Sequence, residues 1–239
     1  MAGLIAAAGP FRLGPHALRV QHSPFEALAR AIAHQQLNGT AANRILDRLV
    51  ALYAPADFPT PEQLLATEQE RLRAVGFSGA KVAALRDLAD KTLAGVVPGI
   101  EQLTALTDLE IIERLTAVRG IGRWTVEMML IFQLERPDVL PVDDFGVRNG
   151  FRLAYGLSGM PLPRALAEYG ERWKPFRSVA AWYLWRAVEL ARAERLPRCE
   201  KPPRIAVSKL ARKVARETVK VRRRLKRSSQ ARARARATP

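Results

Sequence analysis

The sequence predicts an all-α protein, and three observations carry that prediction. Apolar residues recur at helical spacing through most of the chain, as in Phe25, Leu28 and Ile32. Cap residues stand immediately before these periodic stretches. No alternating strand pattern of useful length occurs.

Taken in order, Ser23-Pro24-Phe25-Glu26 supplies an N-cap, a proline at N1 and a capping-box glutamate. Asn38-Gly39 punctuates the chain before a second helix with Ile45, Leu49 and Leu52 on one face. Pro59-Thr60-Pro61-Glu62 starts a short helix, and Thr67-Glu68-Gln69-Glu70 starts another that ends near Gly76. Ser78-Gly79 precedes a long helix to about Gly95. Thr107-Asp108 caps a helix expected to reach Arg119, and Arg123 to about Leu134 forms the next. Pro137 and Pro141 bound a loop before a helix over 143–155. Helices over 164–172 and 178–196 follow, each set off by proline.

Composition bounds the class. With 239 residues and 48% hydrophobic content, the chain suits one compact unit or two small lobes sharing a core. No segment approaches the roughly 18 apolar residues of a membrane helix. Met1 to Pro10 lacks the basic region of a signal peptide. One cysteine, Cys199, excludes an intramolecular disulfide and a four-cysteine metal site or cluster, and a reducing, cytoplasmic setting is the default.

The net charge of +16 is unevenly placed. Residues 201–239 hold 15 of the 39 Lys and Arg and one of the 23 Asp and Glu, which leaves 24 and 22 for residues 1–200. The body is thus +2 and the tail +14. In that tail, 205–227 reads as a basic helix with a narrow apolar stripe, and 228–239 as an Arg-Ala run expected to be disordered in isolation. Such a tail would add sequence-independent phosphate contacts with strong salt dependence. The domain expectation is a body over 1–197 and a basic extension over 198–239.

Two motifs carry chemistry. Val118-Arg119-Gly120-Ile121-Gly122-Arg123-Trp124-Thr125 reads as helix, tight turn, helix. Two glycines one residue apart permit the turn and a close backbone approach. The following helix then presents unpaired amides, an anion site suited to a DNA phosphate. About 20 residues later comes Leu140-Pro141-Val142-Asp143-Asp144-Phe145-Gly146. Asp143 is expected to serve as the helix cap, leaving Asp144 to stabilise a sugar cation and direct water.

In combination, VRGIGRWT, PVDDFGVR and their spacing resemble the helix-hairpin-helix (HhH-GPD) superfamily of DNA glycosylases. FEALARAIAHQQLN, ERWKPFRSVAAWYLWRA and the placement of Trp124 resemble its alkylation-repair branch, the 3-methyladenine DNA glycosylase II type. The similarity spans roughly 15–195. It implies two helical lobes with the active site in the cleft between them. N- and C-terminal helices form one lobe and roughly 40–142 the other. The α/β domain that precedes these lobes in long bacterial members is expected to be absent.

By position, the resemblance makes Asp144 the catalytic carboxylate and Trp124 and Trp185 the lining of the base pocket. It assigns Gly120, Gly122 and Thr125 to phosphate-gripping amides, with Arg119 and Arg123 flanking them. The carbonyls of Thr116, Val118 and Ile121 would hold a structural cation; no cofactor is needed for the chemistry. Gln36 falls at the residue that wedges into the duplex, where other members carry leucine, and Leu37 adjoins it. Trp173 and Trp182 read as core, and His34 as more often structural than DNA-contacting.

The implied activity is monofunctional hydrolysis of the N-glycosidic bond of alkylated purines in duplex DNA. It proceeds by base flipping and leaves an abasic site. Strand-cutting members carry a lysine where this chain has Trp124, so no lyase step is expected. A monomer acting on the bacterial nucleoid in the cytoplasm is expected. Two alternatives stay open: a glycosylase for oxidised or deaminated bases, and a non-catalytic DNA-binding protein.

Overall fold

The computed structural model describes residues 1–12, 22–197 and 202–207. These are helical apart from connecting loops and one isolated bridge, Pro161 to Val207. None of the described helices is long and apolar enough to cross a membrane.

The chain divides into two compact units, one of Met1–Arg12 with Pro137–Pro239, the other of Leu13–Arg136. The expected middle lobe, roughly 40–142, began too late. Pro24–His34 belongs with the helices that follow it, because its apolar face packs on three of them.

The Leu13–Arg136 unit contains α2 (Pro24–His34), α3 (Gly39–Leu52), α4 (Pro61–Ala66), α5 (Gln69–Val75), α6 (Gly79–Leu93), α7 (Ile100–Ala105), α8 (Asp108–Leu115) and α9 (Arg123–Phe132). Local caps set most of these starts. Ser23, Asn38 and Ser78 each accept a backbone N–H at the head of α2, α3 and α6. Thr60 with Gln63, and Thr107 with Glu110, form complete capping boxes. α6 is the central strut: it packs on α2, α4 and α5, and buries Leu85 and Leu88 completely. α7 lacks a side-chain cap and a long periodic run, which is why the sequence pattern did not reveal it. α8 stops at Leu115, one turn before the expected Arg119. There Thr116 Oγ1 folds back onto the Ile112 carbonyl at 2.7 Å, and the turn to Gly120 follows.

The other unit contains α1 (Ala2–Ala8), α10 (Phe145–Ala154), α11 (Pro163–Gly170), a 3-10 turn (Glu171–Trp173) and α12 (Arg177–Arg192). Phe151 and Leu184 lie at its centre, fully buried. α10 and α12 cross closely because Gly150 has no side chain; a Cβ there would collide with the Leu184 carbonyl. Trp173 and Trp182 are partly buried against this core. Trp182 packs edge-on against Phe11 and Trp173 against Tyr169.

One tail expectation is overturned. Residues 205–207 do not begin a helix: Leu162 N–H donates to the Ala206 carbonyl at 2.9 Å, Val207 pairs with Pro161, and Ile205 packs against the core. An extended backbone satisfies the edge at Pro161–Leu162, which a helix starting at 205 could not do. The expected helix over 208–227 and the run over 228–239 lie outside the described residues.

Candidate active site

The hairpin is built from the turn outward. Gly120 has φ +79°, a left-handed conformation that favours glycine. Ile121 N–H closes the turn onto the Val118 carbonyl at 3.0 Å. Gly122 then caps α9 without a side chain. No described hydrogen bond uses the amides of Gly120 or Gly122, so both fit the expected anion-binding role. Thr125 departs from it: its amide donates to the Gly122 carbonyl at 2.9 Å, a 3-10-type bond that tightens the first turn of α9.

The turn is held from α6. Asp87 accepts the Arg119 N–H at 2.6 Å, and Lys91 bridges Asp87 (2.7 Å) and the Ala117 carbonyl (2.6 Å). Burial pushes the Asp87 carboxyl up, but the Arg119 N–H and Lys91 outweigh it and hold it below the ordinary carboxylate value. The Arg119 side chain is exposed. Arg123 is also exposed, and its Nε donates to the buried Glu127 at 2.8 Å. Arg123 therefore serves the fold of α9 as well as any outside partner.

The loop after α2 meets the same turn. Gln35 Nε2 donates to the Gly120 carbonyl at 2.8 Å. Lys81 Nζ donates to the carbonyls of Ala33 and Gln35, both at 2.8 Å, and burial lowers its pKa. Gln36 follows with φ +57°, uncommon for a residue with a side chain. Gln36 and Leu37 are both exposed, so the two expected wedge residues sit on a strained, outward-facing turn.

Between α2 and α9 lies a cavity of about 390 Å³. Trp124, Met128 and Phe132 line it from α9, and Ala27, Ala31 and His34 from α2. Trp124 is 49% exposed. Gln133, just past α9, also lines the cavity. Its Oε1 is buried with no hydrogen-bond partner. Sequence reading missed Met128, Phe132 and Gln133. The stripe 124, 128, 132 was the available signal, but a core face gives the same spacing.

In the Met1–Arg12 and Pro137–Pro239 unit, the loop before Asp144 is pinned onto the start of α12. Arg177 forks onto Asp138 at 2.7 and 3.0 Å, and Ser178 Oγ accepts the Val139 N–H at 2.9 Å. Burial raises the Asp138 carboxyl, and the Arg177 hydrogen bonds more than offset it, leaving it lowered.

Asp144, not Asp143, caps α10. Its Oδ1 accepts the Val147 N–H at 2.6 Å, and α10 begins at Phe145 rather than at Asp143. Asp143 is exposed. The cap and the catalytic candidate are one residue, because the turn from Pro141 to Asp144 delays the helix (Asp144 N–H to Pro141 carbonyl, 3.1 Å).

The same Oδ1 accepts Trp185 Nε1 at 2.8 Å. Trp185 was expected as a base-pocket wall; here its indole N–H orients the carboxylate. Gly146 makes room for this contact. A Cβ at 146 would lie 2.7 Å from Trp185 Cδ1. Gly146 and Gly150 share one face of α10, and α12 uses both gaps.

A glycine-turned hairpin with presented amides, followed by a capped and oriented aspartate in an all-helical chain, defines a protein of the helix-hairpin-helix class. The chain belongs to the HhH-GPD superfamily of base excision DNA repair proteins, whose family model matches residues 29–175. It is 43% identical to DNA-3-methyladenine glycosylase 1 of Schizosaccharomyces pombe, over 79% of this chain and 82% of that protein. To DNA-3-methyladenine glycosylase 2 of Escherichia coli it is 32% identical, over 67% and 56%. Among solved structures, the S. pombe 3-methyladenine DNA glycosylase bound to abasic DNA matches with a TM-score of 0.69 and 42% identity, over 79% of this chain and 90% of that one. The DNA-3-methyladenine glycosidase of Bacillus halodurans matches with a TM-score of 0.71 and 34% identity, over 80% and 85%.

Proposed function

We propose that this protein is a monofunctional DNA glycosylase that hydrolyses the N-glycosidic bond of alkylated purines in duplex DNA, of the 3-methyladenine and 7-methylguanine type. The product is an abasic site for base excision repair. The observation that carries this reading is the Asp144 carboxylate, oriented by the Val147 N–H and the Trp185 indole N–H. The relatives named as 3-methyladenine glycosylases support the substrate class.

Methylation at N3 or N7 makes the base cationic and a good leaving group. The bond electrons go to the base, which departs neutral. The sugar is left as a cation, which Asp144 stabilises electrostatically while water adds to it. The half-exposed indole face of Trp124 attracts the cationic base. Trp124 stands where strand-cutting members carry lysine, so no Schiff base forms.

The amides of Gly120 and Gly122 grip a backbone phosphate. The carbonyls of Thr116, Val118 and Ile121 suit a hard, weakly held cation beside it; those of Thr116 and Ile121 accept no described hydrogen bond. The protein acts as a monomer on duplex DNA, with no cofactor in the chemistry.

Asp144→Asn tests the mechanism with little disturbance of the fold. Asparagine keeps an acceptor for both Val147 and Trp185 and remains a good N-cap. Release of methylated bases in single turnover should fall about 10³-fold, with thermal stability held. Equal release by both proteins would defeat the mechanism.

A further inference from the structure

We propose that Lys81 is a positioning residue for base extrusion: it fixes the Gln35–Gln36 peptide so that the exposed Gln36 turn enters the duplex at the gap the base leaves. This inference rests on the base-release reading above and concerns how that site is presented to DNA.

α2 ends at His34, and carbonyls at a helix end lack partners within it. Lys81 Nζ supplies two donors there, to the Ala33 and Gln35 carbonyls, each at 2.8 Å. Helix capping accounts for the first contact. The second lies beyond the helix. The Gln35 carbonyl belongs to the same planar peptide as the Gln36 N–H, so the ammonium sets the plane from which Gln36 projects. Gln36 has φ +57°, a conformation that persists in a residue with a Cβ only where its surroundings impose it. Leu37 N–H returns to the His34 carbonyl at 3.3 Å and closes the other side of the turn.

The same mount carries the hairpin. Lys81, Ala84, Asp87 and Lys91 recur at helical spacing and share one face of α6. Ala84 lies under Gly120, where an added Cβ would come within 3.4 Å of the Ala84 Cβ. Asp87 accepts the Arg119 N–H, and Lys91 donates to the Ala117 carbonyl, both at 2.6 Å. Gln35 spans the two turns, with its carbonyl on Lys81 and its Nε2 on the Gly120 carbonyl. One helix face therefore holds the Gln36 turn in register with the phosphate-gripping turn. When the hairpin takes a phosphate, the Gln36 turn already stands at a fixed offset, and little ordering cost is left for insertion.

The test compares affinity for a duplex carrying an abasic analogue with affinity for the same duplex undamaged, in the full chain. The ratio isolates gap filling, since contacts common to both duplexes cancel. Lys81→Met keeps the apolar stem and lacks the ammonium; the ratio should fall about tenfold, the scale of a hydrogen bond lost from a charged group. In a Gln36→Ala background the same change should cost nothing further, because Lys81 acts through Gln36. Lys81→Arg should restore most of the preference. Gln35→Met removes only the side-chain tie to Gly120; its smaller fall, roughly threefold, should also vanish in the Gln36→Ala background. An unchanged ratio in Lys81→Met, or an equal fall with and without the Gln36 side chain, overturns the proposal while leaving the base-release reading in place. No release from methylated duplex by wild type overturns both.

Discussion

The two units solve different problems. The Leu13–Arg136 unit offers surfaces: a hairpin with presented amides, a strained turn at Gln36, and an apolar cavity between α2 and α9. The other unit offers one oriented charge, Asp144. Adhesion to a polymer can be spread over many modest contacts. On the proposed reaction, stabilising a cation at one carbon needs a single carboxylate held firmly, and the close approach of α12 at Gly146 and Gly150 is what brings Trp185 onto Asp144. Each unit also ties its working loop with an aspartate that accepts a backbone N–H and a cationic side chain: Asp87 for the hairpin, Asp138 for the loop before Asp144.

Five substitutions test this contrast, ordered by expected effect. Gly150→Ala places a methyl on the Leu184 carbonyl, and the helices must separate. We expect a loss of about 3 kcal/mol or more, read as a melting temperature lower by roughly 10 °C or more. A neutral result would mean that the α10–α12 crossing is not tight.

Gly146→Ala is subtler. A Cβ there would lie 2.7 Å from Trp185 Cδ1 and 3.0 Å from Asp144 Oδ1, so it wedges the indole away from the carboxylate and crowds the carboxylate itself. Single-turnover release should fall about 10- to 100-fold, for the loss of roughly 1.5–3 kcal/mol in a charge-assisted hydrogen bond. Affinity for abasic DNA should hold. If affinity fell instead, the indole would be serving DNA contact rather than the carboxylate.

Gly122→Ala reverses that pattern. Nothing in the protein lies within 4 Å of a Cβ there, so stability should stay within about 0.5 kcal/mol. A methyl would stand in the way of a phosphate, and DNA affinity should drop about tenfold with the saturated release rate unchanged. Unchanged affinity would remove Gly122 from the DNA-contacting surface.

The smallest effect is acid stability. Asp87 is lowered in the folded protein, so its contribution is full above the ordinary carboxylate value and is lost as pH falls through the folded one. Asp87→Asn should flatten the stability curve below about pH 4 by roughly 1 kcal/mol or less, since the pair is partly exposed. Asp138→Asn should do the same for the other unit. An unaltered acid limb in both variants would show that neither loop depends on its aspartate.

Much of the fold was legible because its signals are local. Ser23, Asn38, Thr60, Ser78 and Thr107 each cap the helix expected of them. The hairpin was legible for the same reason: a Gly-x-Gly pair between two helical stretches marks a tight turn, and Gly120 takes φ +79° in it. α1 and α7 were missed because they are short, lack side-chain caps, and are held by packing. The cap was assigned to Asp143 because a sequence shows two acids in series but not which one the turn from Pro141 brings into place.

Most helices, their caps, the Gly-x-Gly turn, the aspartate and the charge imbalance could be read from the residues alone, since each depends on neighbours within one or two turns. That α2 joins the middle unit, that the Trp185 indole N–H meets Asp144, and that Gln133 holds a buried acceptor without a donor emerge with the packed chain. Those depend on groups far apart in the chain, and the Gly146 gap has no meaning until α12 lies across it.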